Sequence, residues 1–269
     1  MAPGFVGSLD GYTLVYAVSS ARRLRSDWTG SIARIRSTGA GTPEQDFGYD
    51  AAGVINKSGI ASFLGADSGV YRKWYDQSNN GHDFGQASAS SQPAYSPTGL
   101  NGQATALFDG VDDGFISVDN IPAQSSWWGY VVAKPTANGT NPELWAIVSY
   151  PDSVAGYILF ERASSTTIYY NGSSLSAQIP FVNNTAYSFV LKGTTSSRYA
   201  KSSAGGLISD GTDNSIVGGF KSTLGFRNDA SAYLTGHICE IVLGVGTLTG
   251  QQETDIFTQL NAFWGTPIP

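Results

Sequence analysis

The segment that most constrains the fold is residues 70–84, which read VYRKWYDQSNNGHDF. Its first half is rich in valine, tyrosine and tryptophan, residue types that favour strands. Its second half is a polar run containing Asp76, Asn79 and Gly81, in which Asx side chains bond nearby backbone and glycine adopts positive φ. Residues 106–115, ALFDGVDDGF, repeat this order of strand, acidic glycine bend and new strand. Two such units predict short antiparallel strands joined at tight polar corners.

The same residues resemble a known superfamily. Residues 73–83, KWYDQSNNGHD, and residues 101–115, NGQATALFDGVDDGF, are similar to the concanavalin A-like (laminin-G-like) jelly rolls. The nearest members are the catalytic sandwich of α-L-arabinofuranosidase B and its uncharacterised tailed-phage and bacterial relatives. Asn79 stands where those sequences usually have glycine. The resemblance extends over nearly the whole chain. It implies an all-β fold, an antiparallel β-sandwich of the jelly-roll type with a few short helices.

The composition agrees with one large sandwich. Of 269 residues, 33 are glycine, 12% are aromatic and only 13% are charged, which suits many short strands with polar turns and excludes a disordered chain. The sequence shows no internal repeat and no linker. We therefore predict a single domain over residues 13–269, preceded by a loose, glycine-rich N-terminal arm, residues 1–12.

The charge pattern argues against polyanionic partners. The net charge is −6 and the isoelectric point is about 4.8, so we expect neither nucleic acid nor an anionic membrane as a partner. The one basic cluster consists of Arg22, Arg23, Arg25, Arg34 and Arg36. We interpret it as a solvated face or as arginines paired with nearby acidic residues.

Cysteine usage and the N-terminal residues predict where the protein is made. Cys239 is the only cysteine, so the chain forms no internal disulfide. The first residues lack the basic and apolar segments of a signal peptide, and no apolar run approaches the ~20 residues of a membrane span. We expect synthesis and folding in a reducing cytoplasm.

Apolar periodicity predicts two helices before the dense strand region. The first is an amphipathic helix indicated by the spacing of Leu14, Ala17, Val18, Ala21 and Leu24. The second lies around residues 58–65 and ends at a glycine. From residue 114 onward, apolar stretches alternate with turn signals about every ten residues, as in a sandwich.

The C-terminal third predicts a strand followed by a closing helix. Thr249 and Gln252 form a capping box, and Gly265 marks the helix end. One apolar stripe follows the cap: Ile256, Phe257, Leu260, Phe263 and Trp264. In the preceding strand, residues 236–243, we interpret Cys239 as a core residue and His237 as a surface residue at the strand end. The laminin-G resemblance includes this ending, with its Gly-x-Ile-x-Glu pattern.

A glycosidase needs two opposed carboxylates, and the resemblance indicates where to look for them. In the arabinofuranosidases the acid lies in a Leu-Gly-x-Gly-Gly-Asp segment, which places Asp229 of this chain at the position of the acid. Arg227 and Asn228 replace the small residues of that segment. Glu161 is the one glutamate in a suitable strand, and the adjacent cysteine pair of the second motif has no counterpart. We therefore assign no catalytic residue; Asp229 and Glu161 are the candidates only if the protein is an enzyme.

Sugar binding makes fewer demands, because aromatic faces and short polar side chains on loops suffice. The candidate ligand-binding residues are Trp128, Tyr150, Tyr170, Tyr199, Asn228 and Asp229. Of the adjacent Trp127 and Trp128, one is expected to face outward. For metals, Asp76, Asp109 and Asp112 are weak candidates for calcium, but we favour their interpretation as turn residues that bond nearby backbone. No other cofactor is expected.

The sequence favours a non-enzymatic carbohydrate-recognition or structural module. We expect it at the surface of a tailed-phage virion, as a tail, fibre or capsid-decoration component in a symmetric assembly. Its expected partners are a cell-surface glycan and neighbouring virion proteins. Two alternatives stay open: an arabinofuranosidase-like glycoside hydrolase, and a purely architectural virion protein without a ligand.

Overall fold

The computed structural model describes residues 7–136, 143–148, 159–163, 167–170, 179–180, 182–211, 215–216, 218–226 and 233–269. Within these ranges the protein is the predicted all-β, antiparallel sandwich with two α-helices. The strands are β1 (Leu14–Ser19), β2 (Ala33–Ser37), β3 (Glu44–Phe47), β4 (Gly69–Trp74), β5 (Phe84–Gly85), β6 (Ala94–Leu100), β7 (Gln103–Asp109), β8 (Phe115–Ser117), β9 (Ser126–Pro135), β10 (Glu143–Val148), β11 (Leu159–Ala163), β12 (Thr167–Tyr170), β13 (Ile179–Pro180), β14 (Tyr187–Thr194), β15 (Ser197–Ser202), β16 (Gly205–Asp210), β17 (Lys221–Leu224) and β18 (Thr235–Val245). The helices are α1 (Lys57–Leu64) and α2 (Gly250–Trp264). Across these parts of the chain, no helix is long and apolar enough to cross a bilayer.

The strands form one curled antiparallel sheet whose two halves are the layers of the sandwich. In one half, β18 pairs with β9, which continues to β14, β15 and β16. The other edge of β18 pairs with β7 near its start and with β1 further along. The second half runs β3-β2-β4-β5-β8-β17-β10-β11-β12-β13. Strand β6 joins the halves by pairing with both β4 and β7.

The first predicted helix is wrong, because residues 14–19 form strand β1. All six residues are buried, including those between the expected helical positions. Strand β18 forms backbone hydrogen bonds with one edge of β1. On the other edge, Asp76 in the corner after β4 accepts a hydrogen bond from the Ala17 N–H. A run of buried apolar residues is compatible with a helix or with a strand. The pairing with β18 therefore decides that these residues form a strand.

The polar corner at residues 76–81 is confirmed and supports β1. Asp76 Oδ1 accepts hydrogen bonds from the backbone N–H groups of Ala17 (2.9 Å) and Ser78 (2.9 Å). Its Oδ2 accepts from the Ser78 hydroxyl (2.7 Å) and the His82 N–H (3.0 Å). Gly81 has a φ of 83°, and Asn79, where the similar sequences have glycine, also has a positive φ of 69°. Asparagine tolerates this conformation better than most residues.

Both predicted later helices are confirmed. Helix α1 ends at Gly65, as expected. Helix α2 begins with the Thr249–Gln252 capping box, and Gly265 closes it in the left-handed conformation with a φ of 69°. Its apolar stripe packs into the core through four buried side chains: Ile256, Phe257, Leu260 and Trp264. The helix therefore seals the sandwich close to β14 and β18.

The described part of the N-terminal arm is not loose. Leu9 is 1% exposed, and its N–H donates to the Leu24 carbonyl at 2.9 Å. The Tyr12 ring packs against Trp128 with a centroid distance of 5.1 Å. Residues 7–12 thus belong to the packed body, because Leu9 and Tyr12 complete its apolar surface. Residues 1–6 lie outside the described residues.

Candidate functional site

The bend after β7 is one candidate region, since it gathers three carboxylates. Asp109 Oδ1 accepts from the backbone N–H of Val111 at 2.8 Å, and Asp113 Oδ2 accepts from that of Asp109 at 3.0 Å. Asp112 accepts from the Ser91 hydroxyl at 2.9 Å. This confirms Asp109 as a turn residue. Burial, with the charges of Asp109 and Asp112 added, raises the pKa of Asp113 to about 7.

A cavity of about 420 Å³ lies beside this bend. Asp109, Asp113 and Gln92 line it. Gln92 is 3% exposed, and within the described part of the chain its Oε1 has no hydrogen-bond partner. One ligand oxygen from each of Asp109, Asp112 and Asp113 lies within 4.8 Å of the other two. An all-oxygen donor set of this kind suits Ca²⁺, so Asp109 and Asp112 stay the weak calcium candidates that the sequence indicated.

Asp76 is a turn residue, as the sequence predicted. Its two oxygens already accept the four hydrogen bonds described above, which uses the lone-pair positions of a carboxylate. These contacts support the favoured interpretation of Asp76 as a turn residue over its weak candidacy as a calcium ligand. The geometry separates two acidic bends that look alike in the sequence.

The prediction that Trp127 or Trp128 faces outward is wrong, so Trp128 is not an exposed ligand-binding residue. Trp127 and Trp128 are 0% and 1% exposed, so neither faces solvent. Strand β9 pairs with β18 on one side and β14 on the other, and both of its faces are covered. Gly244 allows the Trp128 ring to lie close against the backbone of β18, since an added Cβ there would come within 2.1 Å of the ring.

Tyr199 is already engaged within the protein. Its hydroxyl donates to Glu253 Oε1 at 2.7 Å, and Lys192 Nζ lies 3.7 Å from the ring centroid. Lys192 and Lys201 both pair with Glu253, at 2.8 and 3.3 Å. The network ties α2 to β14 and β15, so Tyr199 has a structural role in addition to its predicted one.

The structure describes the remaining candidates only in part. Tyr150, Asn228 and Asp229 are outside the described residues, and for Glu161 and Tyr170 the structure describes the backbone only. Strand β10 pairs with β17 on one side and with β11, which carries Glu161, on the other. The segment after Leu224 therefore starts two strands away from Glu161. Neighbouring strands are about 4.8 Å apart, so β17 and β11 are separated by about 10 Å.

A buried cluster around Glu240 was missed by sequence reasoning. Glu240 is 0% exposed and accepts from Arg22 Nε and Nη2, both at 2.7 Å, and from the Tyr130 hydroxyl at 2.6 Å. Trp264 Nε1 and the Ser19 hydroxyl donate to its Oε2 at 3.0 and 3.3 Å. Burial opposes the charge of Arg22, but Glu240 outweighs it and the pKa of Arg22 is raised. The sequence signal that could have indicated this cluster is Glu240 itself, a glutamate among the apolar residues of β18.

Arg25, Arg34 and Arg36 fit the predicted pairing with nearby acidic residues. Arg34 pairs with Asp46 and Arg25 with Asp27 at the surface.

His237 does not lie at the surface, as the sequence had predicted. It is 8% exposed, and its Nδ1 lies 2.8 Å from the Thr105 hydroxyl. Burial, with the nearby Lys134, lowers the pKa of His237 to about 4. Its strand is flanked on both edges, which is why the histidine is internal. Cys239, at 0% exposed, is the predicted core residue.

Known structures share this fold, although no family model and no curated protein matches the chain. One is a GH54 α-L-arabinofuranosidase soaked with a cyclic sulfate inhibitor, with a TM-score of 0.74 and 18% identity over 92% of this chain. Another is an arabinofuranosidase complexed with arabinofuranosyl-α-1,2-xylobiose, with a TM-score of 0.72 and 16% identity over 92%. This chain has the β-sandwich fold of those structures. It covers 63% of the length of each.

A smaller sugar-bound domain is also similar. Domain 4 of AbnA, a GH43 extracellular arabinanase from Geobacillus stearothermophilus, was solved with arabinotriose. It matches with a TM-score of 0.51 and 14% identity, covering 67% of this chain and 91% of that domain. At these identities the likeness establishes the fold, and the site must be argued from this chain's own residues.

Proposed function

We propose that this protein is a non-enzymatic carbohydrate-recognition module. The supporting observation is the fold it shares, over 92% of its length, with proteins solved together with arabinose-containing ligands. The proposed binding region is the part of the sheet around β10–β12 and the segment after β17, which carries Tyr150, Tyr170, Asn228 and Asp229. Aromatic and short polar side chains of this kind hold sugars without requiring catalytic geometry.

The residues argue for binding rather than hydrolysis. Arg227 and Asn228 precede Asp229 where the similar enzymes have small residues that let the sugar approach. The single cysteine excludes the adjacent cysteine pair of the second motif. A retaining or inverting mechanism also needs a second, opposed carboxylate. Glu161 in β11 and its register partner Glu143 in β10 are glutamates of this part of the sheet, but neither stands in a segment that matches the second motif.

A glycan array tests the binding proposal. We expect the wild-type protein to be retained on arabinose-containing glycans, and retention to be lost in Asn228→Ala and Asp229→Asn. Asp119→Asn is the matched control, because Asp119 is exposed on another loop and its change removes the same charge. If the wild-type protein binds no glycan, the architectural alternative replaces this proposal.

The glycoside hydrolase alternative rests on where its two candidate carboxylates stand in the chain: Glu161 is in β11, and Asp229 follows β17 in the sequence. Strand β10 pairs with both β11 and β17, so these two strands belong to the same part of the sheet. Release of nitrophenol from 4-nitrophenyl α-L-arabinofuranoside, abolished by Asp229→Asn but not by Asp119→Asn, would establish this activity. No release is expected for a binding module.

We further propose that the module is displayed on a tailed-phage virion. The sequence resemblance to tailed-phage relatives and the small share of charged residues support this placement. Mass spectrometry of purified particles tests it. We expect the chain at a copy number set by capsid or tail symmetry, and its absence from particles would contradict the proposal.

A further inference from the structure

A second cavity, of about 390 Å³, lies between the N-terminal residues and helix α2. Its volume falls within the range of small-molecule pockets, about 300–1,000 Å³. Arg22, Arg23, Ser8, Gln259 and Phe263 are among the residues that line it. Among the residues that the structure describes, no carboxylate side chain lines this cavity. Its polar groups are therefore mainly hydrogen-bond donors.

Arg22 is fixed in the wall of the cavity. It is 8% exposed, and Glu240 holds its Nε and Nη2 in a bidentate ion pair at 2.7 Å. Its guanidinium lies over the Phe263 ring, 4.8 Å from the centroid. Two planar contacts of this kind remove most of the rotational freedom of the side chain, so little further entropy is lost when a ligand binds.

Arg23 supplies a second oriented guanidinium. Its charged carbon lies 4.7 Å from the centroid of the Tyr49 ring, and its Nη2 donates to the Ser26 carbonyl. Glu240 balances Arg22 from behind, and Asp27 interacts electrostatically with Arg23. As far as the structure describes the chain, both charged side chains that line the cavity itself are nevertheless arginines, in a protein with a net charge of −6.

The remaining polar groups suit a hydroxylated ligand. Ser8 lines the cavity, and in the described part of the chain its buried Oγ has no hydrogen-bond partner. Gln259 adds an amide, which both donates and accepts. We propose that this cavity binds a carboxylate-bearing sugar residue, with Arg22 and Arg23 contacting the carboxylate and Ser8 and Gln259 contacting hydroxyl groups. The identity of the ligand as a sugar rests on the proposed function, whereas the anion site rests on the cavity alone.

Calorimetric titration with D-glucuronate, D-glucose and inorganic phosphate tests this inference. We expect glucuronate to bind, glucose to bind at least tenfold more weakly, and phosphate to compete for the same site. Arg23→Gln should weaken glucuronate binding about tenfold, as expected for the loss of one charge-assisted contact. Arg25→Gln is the matched control: it removes the same charge two residues away, from an arginine paired with Asp27.

Each outcome decides between the two proposals. Equal effects of Arg23→Gln and Arg25→Gln, or no glucuronate binding at all, would overturn the inference while leaving binding of neutral glycans intact. Phosphate binding that depends on Arg23, without glucuronate binding, would retain the anion site but refute its assignment to a sugar. Glucuronate binding lost only in Arg23→Gln supports it, whatever the neutral glycan array shows.

Discussion

Glu240 is a charged residue in a fully buried environment. It is fully buried and accepts from three other buried residues besides Arg22. Removing its charge leaves the Arg22 guanidinium buried without its counter-ion. We expect Glu240→Gln to lower the free energy of unfolding by about 3–5 kcal/mol, measured by urea denaturation.

The surface pair of Arg34 and Asp46 is the control for this prediction. Its side chains are 39% and 38% exposed, so solvent screens the interaction. Asp46→Asn should cost under about 1 kcal/mol in the same assay. Similar costs for the buried and exposed variants would contradict a special role for the Glu240 cluster.

Asp113 predicts a pH dependence of stability. Its pKa is raised to about 7 in the folded protein and is near 3.8 when unfolded, so the folded state retains a proton between these values. Stability from this residue is therefore lost as pH rises from about 4 to about 7. We expect Asp113→Asn to raise the Tm at pH 8 by about 3 °C and to change it little at pH 4. Differential scanning calorimetry in EDTA, which excludes divalent cations, measures both.

The exposed Asp119→Asn is the charge-matched comparison for Asp113→Asn. A Tm gain of equal size in both variants would mean that reduced net charge, rather than burial of Asp113, is the cause. A gain in Asp113→Asn that is the same at pH 4 and pH 8 would also contradict the prediction.

At the scale of elements, the capping box of α2 has a measurable share in stability. Thr249 accepts from the Gln252 N–H, and the Gln252 side chain bonds the Thr249 backbone in return. Thr249→Ala should lower the free energy of unfolding by about 1 kcal/mol. Thr258→Ala, on the exposed face of the same helix, should cost clearly less by chemical denaturation. Equal costs would mean that the cap does not limit the stability of α2.

Elements differed in how far the sequence predicted them. Helices α1 and α2 carry their own start and stop residues, so local signals were sufficient. Strand β1 carries none, and its periodicity suggested a helix. Its conformation depends on β18, more than 220 positions along the chain at Val18↔Ile241, and a window of ten residues contains no information about that partner.

At the scale of the molecule, residues 9–13 complete the sandwich. Leu9 is buried, Tyr12 packs on Trp128, and the Val245 N–H donates to the Thr13 carbonyl. We expect deletion of residues 1–12 to lower the Tm by several degrees, because burial of one leucine alone contributes about 1.5–3 kcal/mol. The single change Leu9→Ala should reproduce much of the loss in a thermal melt. An unchanged Tm in both variants would restore the prediction of a loose arm.

The sequence by itself determined the class of fold, the polar corners and the closing helix, because each follows from local chemistry: strand-forming aromatics, Asx and glycine turns, and a capping box. Only the tertiary structure decided which polar and aromatic side chains are exposed and can contact a ligand. Trp128 and Arg22 are buried although their types favour binding or solvent, since strands distant in the chain cover them. Burial is a property of the packed layers, and the paired strands that create it are brought together only by folding.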